Sequence, residues 1–170
     1  MSAIYRLKTV SLPADAFGKP FLDPPDVVDI DNVTLYEFTL NQDKVTFKFP
    51  VPSDYKDGDF TFFVVWTNDG NANDNGKDVK WRLDYQTAIM GDPINGSHLN
   101  SPKEINDTYT SDTGWIEHHT GIMTIAAADF AGKLCIYIKL SAITPDGEEI
   151  TCKPHLIGIC FTYNLTINEV

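Results

Sequence analysis

Cysteine is scarce in this chain: three residues in 170, at Cys135, Cys152 and Cys160. A small odd number excludes a disulfide-stapled scaffold and fits reduced thiols in a cytoplasm. One bridge, Cys152 to Cys160, stays open as the alternative. Basic residues are also few. Thirteen Lys and Arg against 24 Asp and Glu leave a net charge of −11. Such a field repels phosphate backbones, so no nucleic-acid partner is expected. It favours solubility, or docking onto a basic surface. No segment approaches the roughly 20 apolar residues of a membrane helix, so no membrane partner is expected either. Met1 to Val10 carries Arg6 and Lys8 with no apolar run behind them, and no signal peptide is read there. Without export, the sequons beginning at Asn32, Asn95, Asn106 and Asn164 are chance matches.

Catalytic signatures are missing as well. There is no Gly-x-Ser-x-Gly elbow; Asn95-Gly96-Ser97-His98 does not fit one. No phosphate loop or dinucleotide fingerprint occurs, and no cofactor is expected. His118 and His119 are adjacent, so on a strand they face opposite ways and cannot share a metal. His98 and His155 stand alone, with no zinc-finger spacing. The loop Asn68–Asp78 invites a calcium reading, with Asp69, Asn71 and Asn73 at positions one, three and five. It fails at position six, Asp74, where glycine is required. It fails again at position twelve, Lys80, where a bidentate acid is required. No metal site is expected. The chain reads as a non-enzyme.

Helical periodicity is lacking too; in its place is strict alternation. Val79, Trp81, Leu83 and Tyr85 share one parity, against Lys80, Arg82, Asp84 and Gln86. A strand sends successive side chains to opposite faces, so this is a half-buried strand. The rhythm recurs at Val45, Phe47, Phe49, at Leu134, Ile136, Ile138, Leu140, and at Ile157, Ile159, Phe161, Tyr163, Leu165, Ile167. The alternation predicts about eight strands, near 33–40, 44–50, 59–67, 79–89, 106–111, 114–125, 133–142 and 155–168. Asn41-Gln42-Asp43 is short enough to join the first two as a hairpin. Phe60–Thr67 is apolar on both parities, which calls for a cover on each face, by the core and by an arm or partner. The fold class is all-β: an antiparallel, jelly-roll-like sandwich over 33–170. Trp66, Trp81, Phe47, Ile136 and Phe161 are expected between the sheets.

Residues 1–32 read differently. Pro13, Pro20, Pro24 and Pro25 cannot donate to a ladder, and Phe17, Phe21 and Leu22 stand among them. This predicts an extended N-terminal arm, with a short strand near Ile4–Val10 as an option. The arm either wraps its own domain or reaches a neighbour. Under the second reading Phe17, Phe21, Leu22, Pro24 and Pro25 are partner-binding residues. Trp115, after the turn Ser111-Asp112-Thr113-Gly114, is the aromatic free to act as a sugar-stacking platform.

Phe63-Val64-Val65-Trp66-Thr67, a polar loop, and Val79-Lys80-Trp81-Arg82-Leu83-Asp84-Tyr85 resemble small virion proteins of tailed bacteriophages. Leu134-Cys135-Ile136, Asp146-Gly147 and Leu156-Ile157-Gly158-Ile159-Cys160-Phe161-Thr162-Tyr163 extend the resemblance over about Val45 to Tyr163. Histidine often precedes the first Trp in that family. Phe63 and Val65 stand here instead, so no role of those histidines carries over. The resemblance implies a jelly-roll-like structural protein of the virion, either a capsid decoration (cement) protein or a tail-associated one. It implies synthesis in the host cytoplasm, a homo-oligomer with a trimer favoured, and the major capsid protein or another virion protein as partner. A carbohydrate-binding or receptor-binding module of a tail or fibre is the alternative.

Overall fold

The computed structural model describes residues 6–70, 72–93 and 99–165. Among them the chain forms β1 (Arg6–Pro13), β2 (Asp26–Ile30), β3 (Val33–Glu37), β4 (Lys44–Pro50), β5 (Phe60–Asn68) and β6 (Asp78–Ala88). Then come β7 (Lys103–Thr108), β8 (His118–His119), β9 (Met123–Ile125), a short helix α1 (Ala127–Phe130), β10 (Cys135–Ile143) and β11 (Pro154–Leu165). Two antiparallel sheets result. The seven-stranded sheet runs β2-β3-β11-β5-β8, with β1 also on β11 and β9 also on β5; the four-stranded sheet runs β4-β10-β6-β7. The chain changes sheet between β3 and β4, β4 and β5, β5 and β6, β7 and β8, β9 and β10, and β10 and β11. That repeated crossing gives the sandwich its jelly-roll-like character. No described helix is long and apolar enough to cross a membrane.

The hairpin expected at Asn41-Gln42-Asp43 is instead one of these crossings, because β3 and β4 lie in different sheets. Asn41 takes a left-handed turn (φ 62°), and its N–H donates to Ala142 O at 2.9 Å. Phe38 dives between the sheets just before it and meets Trp81 edge-on at 5.4 Å. The strand expected over 114–125 is split into β8 and β9. Thr120 sits at the break, where its hydroxyl takes the Val64 N–H at 3.0 Å in place of a ladder carbonyl.

The parity reading holds for the centre of the sandwich. Trp66, Trp81, Ile136 and Phe161 are fully buried between the sheets. Phe49 stacks on Phe161 at 4.8 Å, and Trp66 meets Trp81 at 6.4 Å. Phe47 is only half-buried, packed 5.3 Å from Phe17 at the sheet edge. In β11 the phase slips. A bulge between Leu156 and Gly158 turns Leu156 into the core and Ile157 outward. Leu134, grouped with Ile136 by parity, lies exposed ahead of β10. Ile167 lies outside the described residues.

The N-terminal segment is extended, and it lies along its own domain. β1 pairs with β11 from Arg6↔Leu165 to Pro13↔Gly158. A Cβ on Gly158 would collide with Leu12 O, so only glycine admits this close approach. Pro13 ends the strand, where its missing N–H costs least. Ala14–Ala16 form a single 3-10 turn, and Phe17 then enters the core. Gly18 bridges to Thr46 through 2.8 and 2.9 Å backbone bonds on the β4 edge. The boundary expected at 32/33 falls inside the β2–β3 hairpin, which closes at Ile30↔Val33.

Candidate interaction surfaces

The structure divides the proposed anchors. Phe17 is buried against Phe47, and its carbonyl accepts Tyr36 Oη at 3.3 Å. Pro25 is buried too, and its carbonyl accepts Lys19 Nζ at 2.9 Å. Neither is a partner-binding residue: both are spent inside their own domain. Phe21, Leu22 and Pro24 face outward. Phe21 is 98% exposed and Leu22 65%. Their loop is short and tied at its base. Asp23 adopts φ 56°, its carbonyl accepts Lys44 N–H at 2.9 Å, and its carboxylate pairs with Lys44 Nζ at 2.8 Å. Pairing at such exposure contributes little to stability, but the backbone bond and turn fix the loop's direction.

Trp115 is 44% exposed. Its backbone is left-handed (φ 63°), which is rare for a bulky side chain. The turn is locked because Trp115 N–H donates to Asn68 O at 2.8 Å and Gly114 packs on the Asp69 backbone. One edge of the ring meets His155 at 5.1 Å. That histidine is buried, with Nε2 3.2 Å from Glu37 Oε2. Burial holds its pKa below the ordinary histidine value, although Glu37 pulls the other way.

His118 and His119 point to opposite faces. His118 packs inward on Trp66 (5.3 Å) and Tyr109 (4.6 Å), and burial lowers its pKa. Trp66 Nε1 donates to Asp107 Oδ2 at 2.6 Å, tying β5 of one sheet to β7 of the other. Burial raises the Asp107 pKa. His119 lies outside, stacked on Phe63 at 5.1 Å, with Nε2 2.7 Å from Glu117 Oε1. His119 is thus the cover that the two-faced strand β5 required at Phe63.

The Asn68–Asp78 loop spends its oxygens on protein donors. Asp74 is fully buried. Its Oδ1 accepts Thr151 N–H (2.7 Å) and Thr151 Oγ1 (2.6 Å), and its Oδ2 accepts Cys152 N–H (2.9 Å) and Asn68 Nδ2 (3.3 Å). Burial opposes ionisation, but these bonds outweigh it and hold the carboxyl below its ordinary range. Lys80 pairs with Glu104 (3.3 Å) and Asp146 (2.8 Å). Asn71, Asn95 and His98 lie outside the described residues. Cys135, Cys152 and Cys160 are free thiols. Burial, with Asp69 beside it, pushes the Cys152 thiol up to about 12.

The two outer faces of the sandwich differ in charge. On the four-stranded sheet an ion-pair ladder crosses neighbouring strands. Lys139 and Arg82 both grip Asp84 (2.8 and 2.9 Å), Arg82 reaches Glu104 (3.3 Å), and Lys80 continues the chain. Beside it a groove of about 680 Å³ has Tyr137, Leu99, Lys48 and Gln86 in its walls. On the seven-stranded sheet, register aligns Thr9, Thr162, Thr61 and Thr124 in one row across four strands. Ser11, Cys160 and Phe63 form the adjacent row. The outward positions of β1, β5, β9 and the 158–165 part of β11 carry no Asp, Glu, Lys or Arg. A second groove, of about 290 Å³, lies on this face between Pro13, Val65, His119, Ile157 and Cys160. The rows themselves arise from register, which no local signal gave.

No protein-family model and no curated protein sequence matches the chain. Among solved structures it is similar to an exo-β-1,3-galactanase of Phanerochaete chrysosporium, at 10% identity and TM-score 0.48, over 92% of this chain and 29% of that one. It is also similar to a chain of infectious bursal disease virus, Gx strain, at 8% identity and TM-score 0.43, over 96% and 32%. The VP2 subviral particle of the same virus overlaps at 9% identity and TM-score 0.41, over 95% and 33%. The chain spans about a third of the length of each of these proteins.

Proposed function

We propose that this chain is a non-enzymatic structural protein of a virus particle: a capsid decoration protein of a tailed bacteriophage. It binds the major capsid protein lattice, stabilises the particle, and is made in the host cytoplasm. The observation that carries the reading is the Phe21–Leu22 loop. Burying one such side chain is worth roughly 1.5–3 kcal/mol, and this fold leaves both outside. A tied loop that presents two large apolar groups is built for contact with a neighbour. The sequence resemblance supplies the phage virion as the place where that neighbour is found. The acidic charge of −11 fits a layer that stays soluble until it meets its lattice. Purified particles test the reading. The protein should appear in them by mass spectrometry at a stoichiometry matching lattice sites, and in a low-resolution map as surface density. Absence from washed particles sinks it.

A second reading has its own observation. Trp115 presents an exposed indole on a locked turn, as a sugar-binding platform does. Under this reading the chain is the receptor-binding module of a tail or fibre. A glycan array with the wild type and Trp115→Ala separates the two. Binding that the substitution abolishes supports the receptor module, and no binding to any glycan removes it.

A further inference from the structure

We propose that the Phe21–Leu22 loop of one copy docks into the groove beside Cys160 on the seven-stranded sheet of a second copy. This rests on the reading of the chain as an assembly protein and names its first partner, the chain itself.

The loop is a ready hook. Its two apolar side chains are exposed, and its base is fixed by Asp23–Lys44, by Lys19 Nζ on Pro25 O, and by the Gly18–Thr46 bridge. A pre-set backbone loses little freedom on docking. In this structure Phe21 does not occupy its own groove: it is almost wholly in solvent. The groove measures about 290 Å³, the bottom of the roughly 300–1,000 Å³ range of drug-sized ligand pockets. That is room for an aromatic ring and part of its neighbour. Its walls come from Pro13, Val65, Ile157, Ile159 and Cys160, with His119 on the rim holding Glu117.

Charge selects this contact over others. Two copies at −11 each repel, so association is favoured where no charge has to be desolvated. The four-stranded sheet is covered with paired ions, and burying it would strip them of water. The outward positions of the strands beneath the groove carry no Asp, Glu, Lys or Arg; the one carboxylate in its lining, Glu117, precedes β8 and lies 2.7 Å from His119 Nε2.

Hook and groove lie on different surfaces. The hook leaves the β4 edge of the four-stranded sheet, and the groove sits on the outer face of the other sheet. The contact is therefore head to tail, which closes into a ring or extends as a filament. A three-membered ring would meet the trimer that the sequence resemblance implies.

Three variants test it by sedimentation velocity and light scattering across micromolar to millimolar protein. Phe21→Asp and Leu22→Asp disable the hook; Ser11→Arg places a cation in the groove from an exposed position. All three residues are exposed, so melting temperatures should match the wild type. The wild type should assemble, and each variant alone should need at least about tenfold more protein for half-assembly, as for a lost anchor. An equimolar mixture of Phe21→Asp and Ser11→Arg keeps one intact groove and one intact hook. It should form a heterodimer and nothing larger. The inference is overturned if the wild type stays monomeric, if a folded variant assembles normally, or if the mixture stays monomeric. A monomeric wild type that still decorates particles overturns this inference and leaves the virion reading standing. An assembling protein absent from particles does the reverse.

Discussion

Replacing Asp74 is expected to destabilise the sandwich far more than its place in a polar loop suggests. Its carboxylate is buried and accepts four hydrogen bonds, from Thr151 N–H, Thr151 Oγ1, Cys152 N–H and Asn68 Nδ2. Thr151 is exposed, so water can replace its lost acceptor. Asn68 is fully buried and Cys152 partly so, and water reaches their donors poorly. Each buried donor left without an acceptor costs about 1–3 kcal/mol. Asp74→Ala should therefore cost about 3–5 kcal/mol, including the void left by the side chain. At roughly 2–4 °C per kcal/mol for a domain of this size, melting should fall by about 10 °C. Asp74→Asn keeps the shape and one oxygen, but sets an amide donor against the Cys152 and Asn68 donors. It should cost about 2–3 kcal/mol. Urea unfolding followed by Trp fluorescence measures both. If Asp74→Ala stays within about 0.5 kcal/mol of the wild type, the loop is not tied to Thr151–Cys152 in solution and the reasoning fails.

Trp81→Ala should cost about 3–5 kcal/mol, the usual range for a buried aromatic, and should empty the soluble fraction; normal melting would place Trp81 at the surface. EDTA should leave the melting temperature unchanged, since Asp74 is taken by protein donors and Lys80 by Glu104 and Asp146; a large drop would reveal a bound cation. Stability should fall as pH drops from about 7 to 5. Burial depresses the folded pKa of His118 and His155 below the ordinary value of about 6.5, so the unfolded chain binds protons that the folded one refuses. Asp107, raised by burial, works in the opposite sense from about pH 4 upward, while the lowered carboxyls of Asp74 and Asp84 matter only below that. Melting scans at fixed ionic strength should show a slope that His155→Asn reduces; a flat profile contradicts the burial of both rings. A chain beginning at Asp31 should aggregate rather than fold as a monomer. It loses β1, β2 and Phe17 and bares the edge of β11; a soluble, cooperatively melting product refutes that.

What the sequence made legible was local. Alternation placed Trp81, Leu83, Ile138 and Phe161 inside without any knowledge of their partners, because parity alone decides a face. The exposure of Phe21 and Leu22 was legible for the same kind of reason: two large apolar groups among Lys19, Pro20, Asp23 and Pro24 have no strand to carry them inward. Phe17 looked identical in composition and was misplaced, since the single turn at Ala14–Ala16 swings it between the sheets. The three-residue link at Asn41 served a crossing as readily as a hairpin, and only the burial of Phe38 decides which. The bulge at Ile157 is a one-residue event that inverts the parity of everything before it in β11. The candidate docking face lies a step further from the text. Thr9, Thr61, Thr124 and Thr162 are unremarkable residues in four separate strands, and each alone says only that its strand has a wet side. Their alignment depends on Gly158 admitting β1 and on the bulge setting the β11 register against β5. An uncharged row on a chain of −11 is therefore a product of pairing. Shifting β11 by one residue would turn Phe161 and Tyr163 outward and place Cys160 and Thr162 in the core. The same packing that buries the aromatic centre thus fixes the uncharged face, so a core substitution that loosens register should disturb that face before it unfolds the domain.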